Sequence, residues 1–534
     1  MSRKKEIEIA SVQELEATLR SRSITRREFL GRALTLGVAA TTATSIWNTA
    51  LATPKRGGHQ VQGLRGGATS DSLDPETLLD THAISCSWQI RNNLSEVLAN
   101  GDVVGELAES WEASPDASEW RFNLRKGVEF HNGKTLDSQD VIWSLNLHRG
   151  DSKSGGAGIV ASVEDITADG KDTVVVKLKE GNADFPTMLA DYHLVIGIDG
   201  MKGSDWDTDG VGTGPFILEE WEPGLRSTTK RNPNYFKQGP WFDSVENLNI
   251  ADQSARVNGL RSGELHVVEE PDLKTLHLLE KAPDIKVLEV GGTRQYTIPM
   301  RCDTAPFDNN DVRLALKNGI NRQALVDTVL RGHGSLGNDH PIGQSQRYFD
   351  ANIPQREFDA DKAKFHIKKA GMDKLAVDLY TADVYTGAND AAVLYKEQSN
   401  AADIDLNVII APTDGYWSDV WMNKPFSMCY WSGRPTSDWM FSMAYYSEAS
   451  WNDSFWKHAR FDELLLSARV ELDTNKRAEM YSEMQQIVRD EGGVLIPVFP
   501  NWVCALSDKL GTPDPIAGNW ALDGLKNFER WWFT

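Results

Sequence analysis

The densest concentration of groups able to hold a small molecule lies between residues 416 and 446. Tyr416, Trp417, Trp421, Tyr430, Trp431, Trp439, Phe441, Tyr445 and Tyr446 fall there, beside Arg434 and Asp438. Aromatic rings supply flat apolar walls, and their faces also hold cations. The chain has 18 tryptophans in 534 residues, many for its length, and most of these rings read as core. A second group, Gly332-His333-Gly334-Ser335-Leu336-Gly337-Asn338-Asp339-His340-Pro341, brings two imidazoles and a carboxylate that could ligate a transition metal. It lacks the i, i+4 helical spacing of a rigid site, and a flexible loop at the edge of a cleft is the simpler reading.

Bond-breaking chemistry would leave other marks. The sequence has no Gly-x-Ser-x-Gly elbow, no His-Glu-x-x-His and no phosphate-binding loop. Its carboxylates are numerous enough for an acid pair of the glycosidase kind, but no spacing singles one out. Cys86, Cys302, Cys429 and Cys504 are far apart and form no Cys-x-x-Cys. They allow two disulfides with three connectivities, or four buried thiols, and both readings stand open. No catalytic residue, metal or cofactor is therefore expected.

The elements that must position these groups alternate in kind. Val61–Leu64, Trp120–Leu124, Val128–Phe130 and Thr173–Leu178 read as strands, and Asn132-Gly133 as a tight turn. Gln89–Leu98 reads as helical, as does Asp137–Asn146 with Asp137 as N-cap. Further on, Val312–Leu330 carries one amphipathic period, Asp361–Ala370 stops at Gly371, and Asp390–Asn400, Phe461–Arg469 and Asn475–Arg489 are helical. Lys374–Leu379 and Leu406–Ile410 are the strands among them. Such alternation predicts an α/β domain with a partly parallel sheet.

The N-terminus carries an address. Thr25-Arg26-Arg27-Glu28-Phe29-Leu30 precedes an uncharged run from Ala33 to Ala52 that closes on Ala50-Leu51-Ala52. Basic segment, apolar segment and small-residue cut make an export signal, and the paired arginines point to the twin-arginine route. The alternative is an uncleaved anchor, since the run has about the length of a membrane span; its threonines, serine and asparagine argue against that. The rest of the chain is then expected to be a monomer working in the periplasm. The first 52 residues carry eight Lys/Arg against five Asp/Glu, so the body is more acidic still than the overall −21. That charge repels phosphate backbones and anionic lipid surfaces, and no nucleic-acid partner is expected.

Four blocks in order carry a resemblance. The first runs from Leu107-Ala108-Glu109-Ser110-Trp111-Glu112 through Trp120-Arg121-Phe122-Asn123-Leu124-Arg125-Lys126-Gly127-Val128-Glu129-Phe130-His131-Asn132-Gly133 to Asp137-Ser138-Gln139-Asp140-Val141. Gly212-Thr213-Gly214-Pro215-Phe216 with Arg231-Asn232-Pro233-Asn234-Tyr235-Phe236, Val312-Arg313-Leu314-Ala315-Leu316 with Ile320-Asn321-Arg322, and Phe358-Asp359-Ala360-Asp361-Lys362-Ala363-Lys364 up to Gly371 follow. Together they resemble the extracellular solute-binding proteins of the oligopeptide, dipeptide and nickel type (family 5), which serve ATP-binding-cassette importers.

The resemblance implies a two-lobe, three-domain α/β periplasmic-binding-protein fold of the cluster C type, with a hinge between lobes. Residues 53–93, 205–298 and 498–534 would make lobe I, 94–204 an inserted domain and 299–497 lobe II. A small solute would be held between the lobes and handed to a membrane permease; a periplasmic hydrolase or a chemoreceptor-facing binding protein are the alternatives. The family lines its cleft with a Trp-x-Gly element, here Trp431-Ser432-Gly433, which makes Trp417, Trp431 and Gly433 cleft candidates. Peptide binders of the family place an aspartate directly after that glycine to pair with the peptide ammonium. This chain has Arg434, which repels an ammonium and suits a carboxylate or phosphate. Two other readings stay open: Arg434 pairs with Asp438 or another acid, or a loop shift gives Asp438 the amine-binding role. Arg301 sits at the expected hinge crossover as a possible second cation in the cleft, with a salt bridge as the alternative.

Overall fold

A computed structural model describes residue 33, residues 54–413 and residues 415–534. Apart from residue 33, the expected export signal lies outside the described residues. The strands fall into three main sheets. The largest has seven strands in the order Ile285–Val290, Trp502–Ser507, Val267–Glu269, His59–Leu64, Ser244–Asn249, Arg226–Arg231 and Phe216–Glu222. His59–Leu64 runs parallel to both its neighbours, and the other pairs are antiparallel. Three separate stretches of chain therefore build this one lobe.

Inserted between two of those stretches is a four-stranded antiparallel sheet, Ala108–Ala113, Glu119–Leu124, Thr173–Leu178 and Val163–Ala168. Its second strand shows why it forms: Trp120, Phe122 and Leu124 are buried on one face, while Arg121 and Asn123 stay half-exposed on the other. Helix Ser138–Asn146 packs on this unit, started by a capping box in which Asp137 and Asp140 satisfy each other's backbone. Val128–Phe130 forms no strand; Gly133 takes a φ of +86° in the turn that folds Lys134 back on Phe130.

The second lobe centres on an antiparallel sheet, Gly334–Leu336, Val494–Pro500, Gln295–Pro299 and Cys429–Trp431. Parallel pairing is confined to Leu375–Thr381 with Ile404–Ile410, which enclose helix Ala388–Ser399, and to one bridge from Tyr380 to Ser427. The lobe is thus less parallel than the strand–helix rhythm predicts. The chain leaves the seven-stranded sheet at Val290 and joins this one at Gln295, crossing through Gly291-Gly292-Thr293-Arg294; it returns between Pro500 and Trp502 through Asn501.

Two helices differ from expectation for local reasons. The helix expected over Gln89–Leu98 lies upstream at Thr81–Ile90, because the Asp80 carboxylate accepts the amides of His82 and Ala83; Ser95–Val97 then pairs as a strand with Val103–Gly105. The single helix expected over Val312–Leu330 splits into Asn310–Asn318 and Arg322–Thr328, broken at Gly319, with Asn321 capping the second piece. All four cysteines are free thiols, three of them buried.

Candidate functional site

The lobes and the inserted domain enclose a cavity of about 380 Å3. Arg65, Asp80, Glu269, Trp502 and Trp520 line it from the first lobe, Asp191 and Tyr192 from the inserted domain, and Thr293, Arg294, Arg347, Gly433 and Arg434 from the second lobe or the crossing into it. It therefore sits across the hinge.

Arg434 follows strand Cys429–Trp431, in the turn before helix Ser437–Ala444. Its Nη1 donates to the carbonyls of Ser432 and Gly433 at 2.9 and 3.1 Å, and Nε and Nη2 point at the Met443 sulfur. No carboxylate lies within ion-pair distance among the described residues. Burial pulls the guanidinium below its ordinary range, opposed by Tyr192 and Asp191 across the cavity. Trp431 backs it, with the guanidinium carbon 5.8 Å from the ring centre. Gly433 is there because of close approach: a Cβ at that position would stand 1.8 Å from the Thr293 hydroxyl. The turn carrying Arg434 is thereby pressed onto the hinge segment itself.

Two more guanidiniums share the wall. Arg294 lies 5.8 Å from the Tyr430 ring and 5.9 Å from that of Trp502. Arg347 lies over Tyr348 and donates to the Thr474 hydroxyl at 3.3 Å. Neither has a carboxylate partner among the described residues, whereas Arg65 on the opposite wall is paired with Glu269 and Glu270. Burial pushes the Glu269 carboxyl up to about 7, Arg65 opposing.

The remaining candidates lie elsewhere. Asp438, buried, is held by Arg469 at 3.2 Å, so neither the shifted-aspartate reading nor a pairing of Arg434 with Asp438 describes this arrangement. Trp431 is buried and its indole N–H goes to Asp453 at 3.2 Å, so it supports the wall without forming it. Trp417 is 42% exposed and packs edge-on against Tyr416, Trp421 and Tyr430, outside the cavity lining. Arg301 also lies outside the lining: it comes after strand Gln295–Pro299, beyond the crossover, bonds Asp303 at 2.7 Å and covers the Phe455 ring at 4.0 Å. The glycine-rich run is not a loose loop, since Gly334–Leu336 joins the central sheet and Asp339 is locked between Arg322 and Arg356. His333 meanwhile bonds Glu289, so the two imidazoles and the carboxylate have separate partners or none in common. Sequence reasoning missed Arg294, Arg347 and Tyr192; the Gly291-Gly292 pair ahead of Arg294 was the available signal for the first.

This two-lobe arrangement matches known proteins. The family model of bacterial extracellular solute-binding proteins, family 5 (middle region), matches residues 102–453. The chain belongs to that family. It is 26% identical over 451 residues to the di/tripeptide-binding protein 1 of Pseudomonas aeruginosa (strain UCBPP-PA14), covering 77% of this chain and 82% of that protein. It is likewise 26% identical over 448 residues to the dipeptide-binding protein of Escherichia coli (strain K12), covering 77% and 83%. Among solved structures, HbpA2 from Haemophilus parasuis superposes with a TM-score of 0.77 at 22% identity, over 88% of this chain and 99% of that one. This family 5 protein is thus a periplasmic substrate-binding component of an ABC importer, with a permease as its membrane partner. Among the described residues no helix is long and apolar enough to cross a membrane.

Proposed function

We propose that this solute-binding protein captures a small peptide-like or carboxylated solute whose anionic group is gripped by Arg434, with Arg294 and Arg347 as further cationic contacts. The observation that carries the reading is a half-buried guanidinium in the interlobe cavity with no carboxylate partner among the described residues. Buried cations are ordinarily paired, and one left open in a cavity is matched to a ligand. An ordinary peptide amino terminus is disfavoured at this position, because the residue after Gly433 is a cation where peptide binders of the family have an acid.

Contacts from both walls favour the closed form, since a ligand shifts such an equilibrium only through its differential affinity for the two states. The lobes hinge at residues 291–294 and 501, where the chain crosses between the two sheets. No chemistry is done on the solute, and the twin-arginine segment delivers the folded protein to the periplasm.

The test is calorimetric titration of the mature protein with amino-acid derivatives, organic acids and dipeptides. A carboxylated ligand is expected to bind, and Arg434→Ala to weaken it by about 1.5–3 kcal/mol, roughly ten- to a hundred-fold. A dipeptide that binds equally well to the wild type and to Arg434→Ala would remove the anionic anchor.

A further inference from the structure

Beside the cavity, on the first lobe, lies a group of side chains of which only Asp80 reaches the cavity lining. One donor atom each from Asp71, Asp80 and His82 lie within 4.8 Å of one another. His82 is completely buried, and among the described residues both of its ring nitrogens lack a hydrogen-bond partner at normal geometry. A neutral imidazole has one donor and one acceptor nitrogen, and burying both unpaired is unfavourable unless something else meets them. Two carboxylates turned toward the same point repel each other unless a cation lies between them or one of them carries a proton.

The surroundings orient these groups as a ligand set would need. Asp80 is the N-cap of helix Thr81–Ile90, and its Oδ1 accepts the His82 and Ala83 amides at 2.9 and 3.1 Å. Asp71 Oδ2 accepts the Ala68 amide at 2.6 Å. Each carboxylate is thus steered through one oxygen while the other receives no N–H among the described residues. The His82 ring is fixed by stacking on Trp221, with centroids 5.1 Å apart and planes 19° from parallel. Such outer contacts are what hold metal ligands in place.

We propose that Asp71, Asp80 and His82 bind one divalent first-row transition-metal ion of the zinc or manganese class. Two carboxylates and one imidazole neutralise a divalent charge, and this mixed oxygen–nitrogen set suits those ions better than calcium or magnesium, which prefer oxygen alone. Metal–ligand bonds of about 2.0–2.2 Å bring donor atoms to within about 4 Å of one another, so a small contraction of the side chains completes the site. Asp80 also lines the cavity, which places the ion at the border of the solute pocket. The site is separate from the His333–Asp339–His340 run.

The experiment uses the untagged mature protein, stripped with a chelator and free of added solute, titrated with zinc chloride and with manganese chloride. Metal content after equilibrium dialysis is measured in parallel. One ion per chain is expected, with affinity at least ten-fold lower in both His82→Gln and Asp71→Asn and unchanged in His340→Gln. Asp71 is in a half-exposed loop, so its variant keeps the test open if His82→Gln does not fold. Absence of saturable binding by either ion overturns the proposal and leaves a proton shared between the carboxylates. Binding that survives Asp71→Asn unchanged overturns it equally.

Discussion

Two charged regions of this molecule are built on opposite plans. At the junction of the first lobe and the inserted domain, Lys237 reaches Glu96 at 2.6 Å, Glu106 at 2.8 Å and Glu529 at 3.3 Å. Lys526 also meets Glu106, and Arg530 meets Glu96 and Asp523. Every acid there has a cation. Burial works against the charge on Glu96, yet Lys237 and Arg530 hold its carboxyl well below the usual range. Across the hinge, Arg294, Arg347 and Arg434 face the cavity with no carboxylate within ion-pair distance among the described residues. Closed networks fix parts that must stay together, since their partners are spent on one another. In the proposed function the open cations are where the anionic group of the solute is held.

The sharpest way to break this comparison is to open the closed network. Lys237→Met leaves Glu96, Glu106 and Glu529 with too few cations, and removing one member of a buried ionic group destabilises by about 3–5 kcal/mol. Urea unfolding is expected to show that loss. A change below about 1 kcal/mol would mean that the junction charges are solvated and the contrast with the cavity is empty.

A second effect, somewhat smaller, sits behind the cavity wall. Burial pushes the Asp453 carboxyl up to about 6, although the indoles of Trp421 and Trp431 donate to it. The folded state therefore holds its proton more tightly than the unfolded chain. This stabilising term is complete below the unfolded value near 3.8 and is lost as pH rises through about 6. A shift of about two units corresponds to about 3 kcal/mol. Asp453→Asn keeps an oxygen for both indoles and removes the titration. Its unfolding free energy is expected to fall less than that of the wild type between pH 4 and pH 7. Parallel profiles for the two proteins would place the pH dependence in other buried acids, such as Asp438 or Glu269.

The sequence made some of this legible. Strands with strict alternation, such as Glu119–Leu124, and helices with a capping acid, such as Asp137 or Asp359 ahead of theirs, stand where local chemistry puts them. The break at Gly319 was hidden because the apolar period runs through it without interruption. In the site, Gly433 and Arg434 could be found because they belong to one short linear element. Tyr192, Arg294 and Arg347 could not, because they converge from separate parts of the chain, and convergence is a property of the tertiary fold. The partner of Asp438 was hidden for a related reason: Arg469 comes from the next helix, so the sequence left the role of Asp438 open.

The smallest effect tests where the open surface ends. Arg301 resembles Arg434 in sequence context, as a guanidinium next to a strand of the same sheet. Its charge, however, is already answered by Asp303, whose side chain is 42% exposed, and its flat face rests on Phe455. A pair so exposed contributes at most about 1 kcal/mol, and stacking on a ring adds about as much again. Arg301→Ala is therefore expected to lower stability by no more than about 2 kcal/mol and to leave solute affinity within about two-fold of the wild type. Titration of this variant beside Arg434→Ala decides the matter directly. If Arg301→Ala weakened the solute as strongly as Arg434→Ala, a cation with a carboxylate of its own would be serving the ligand, and pairing would no longer separate fixed charges from binding ones.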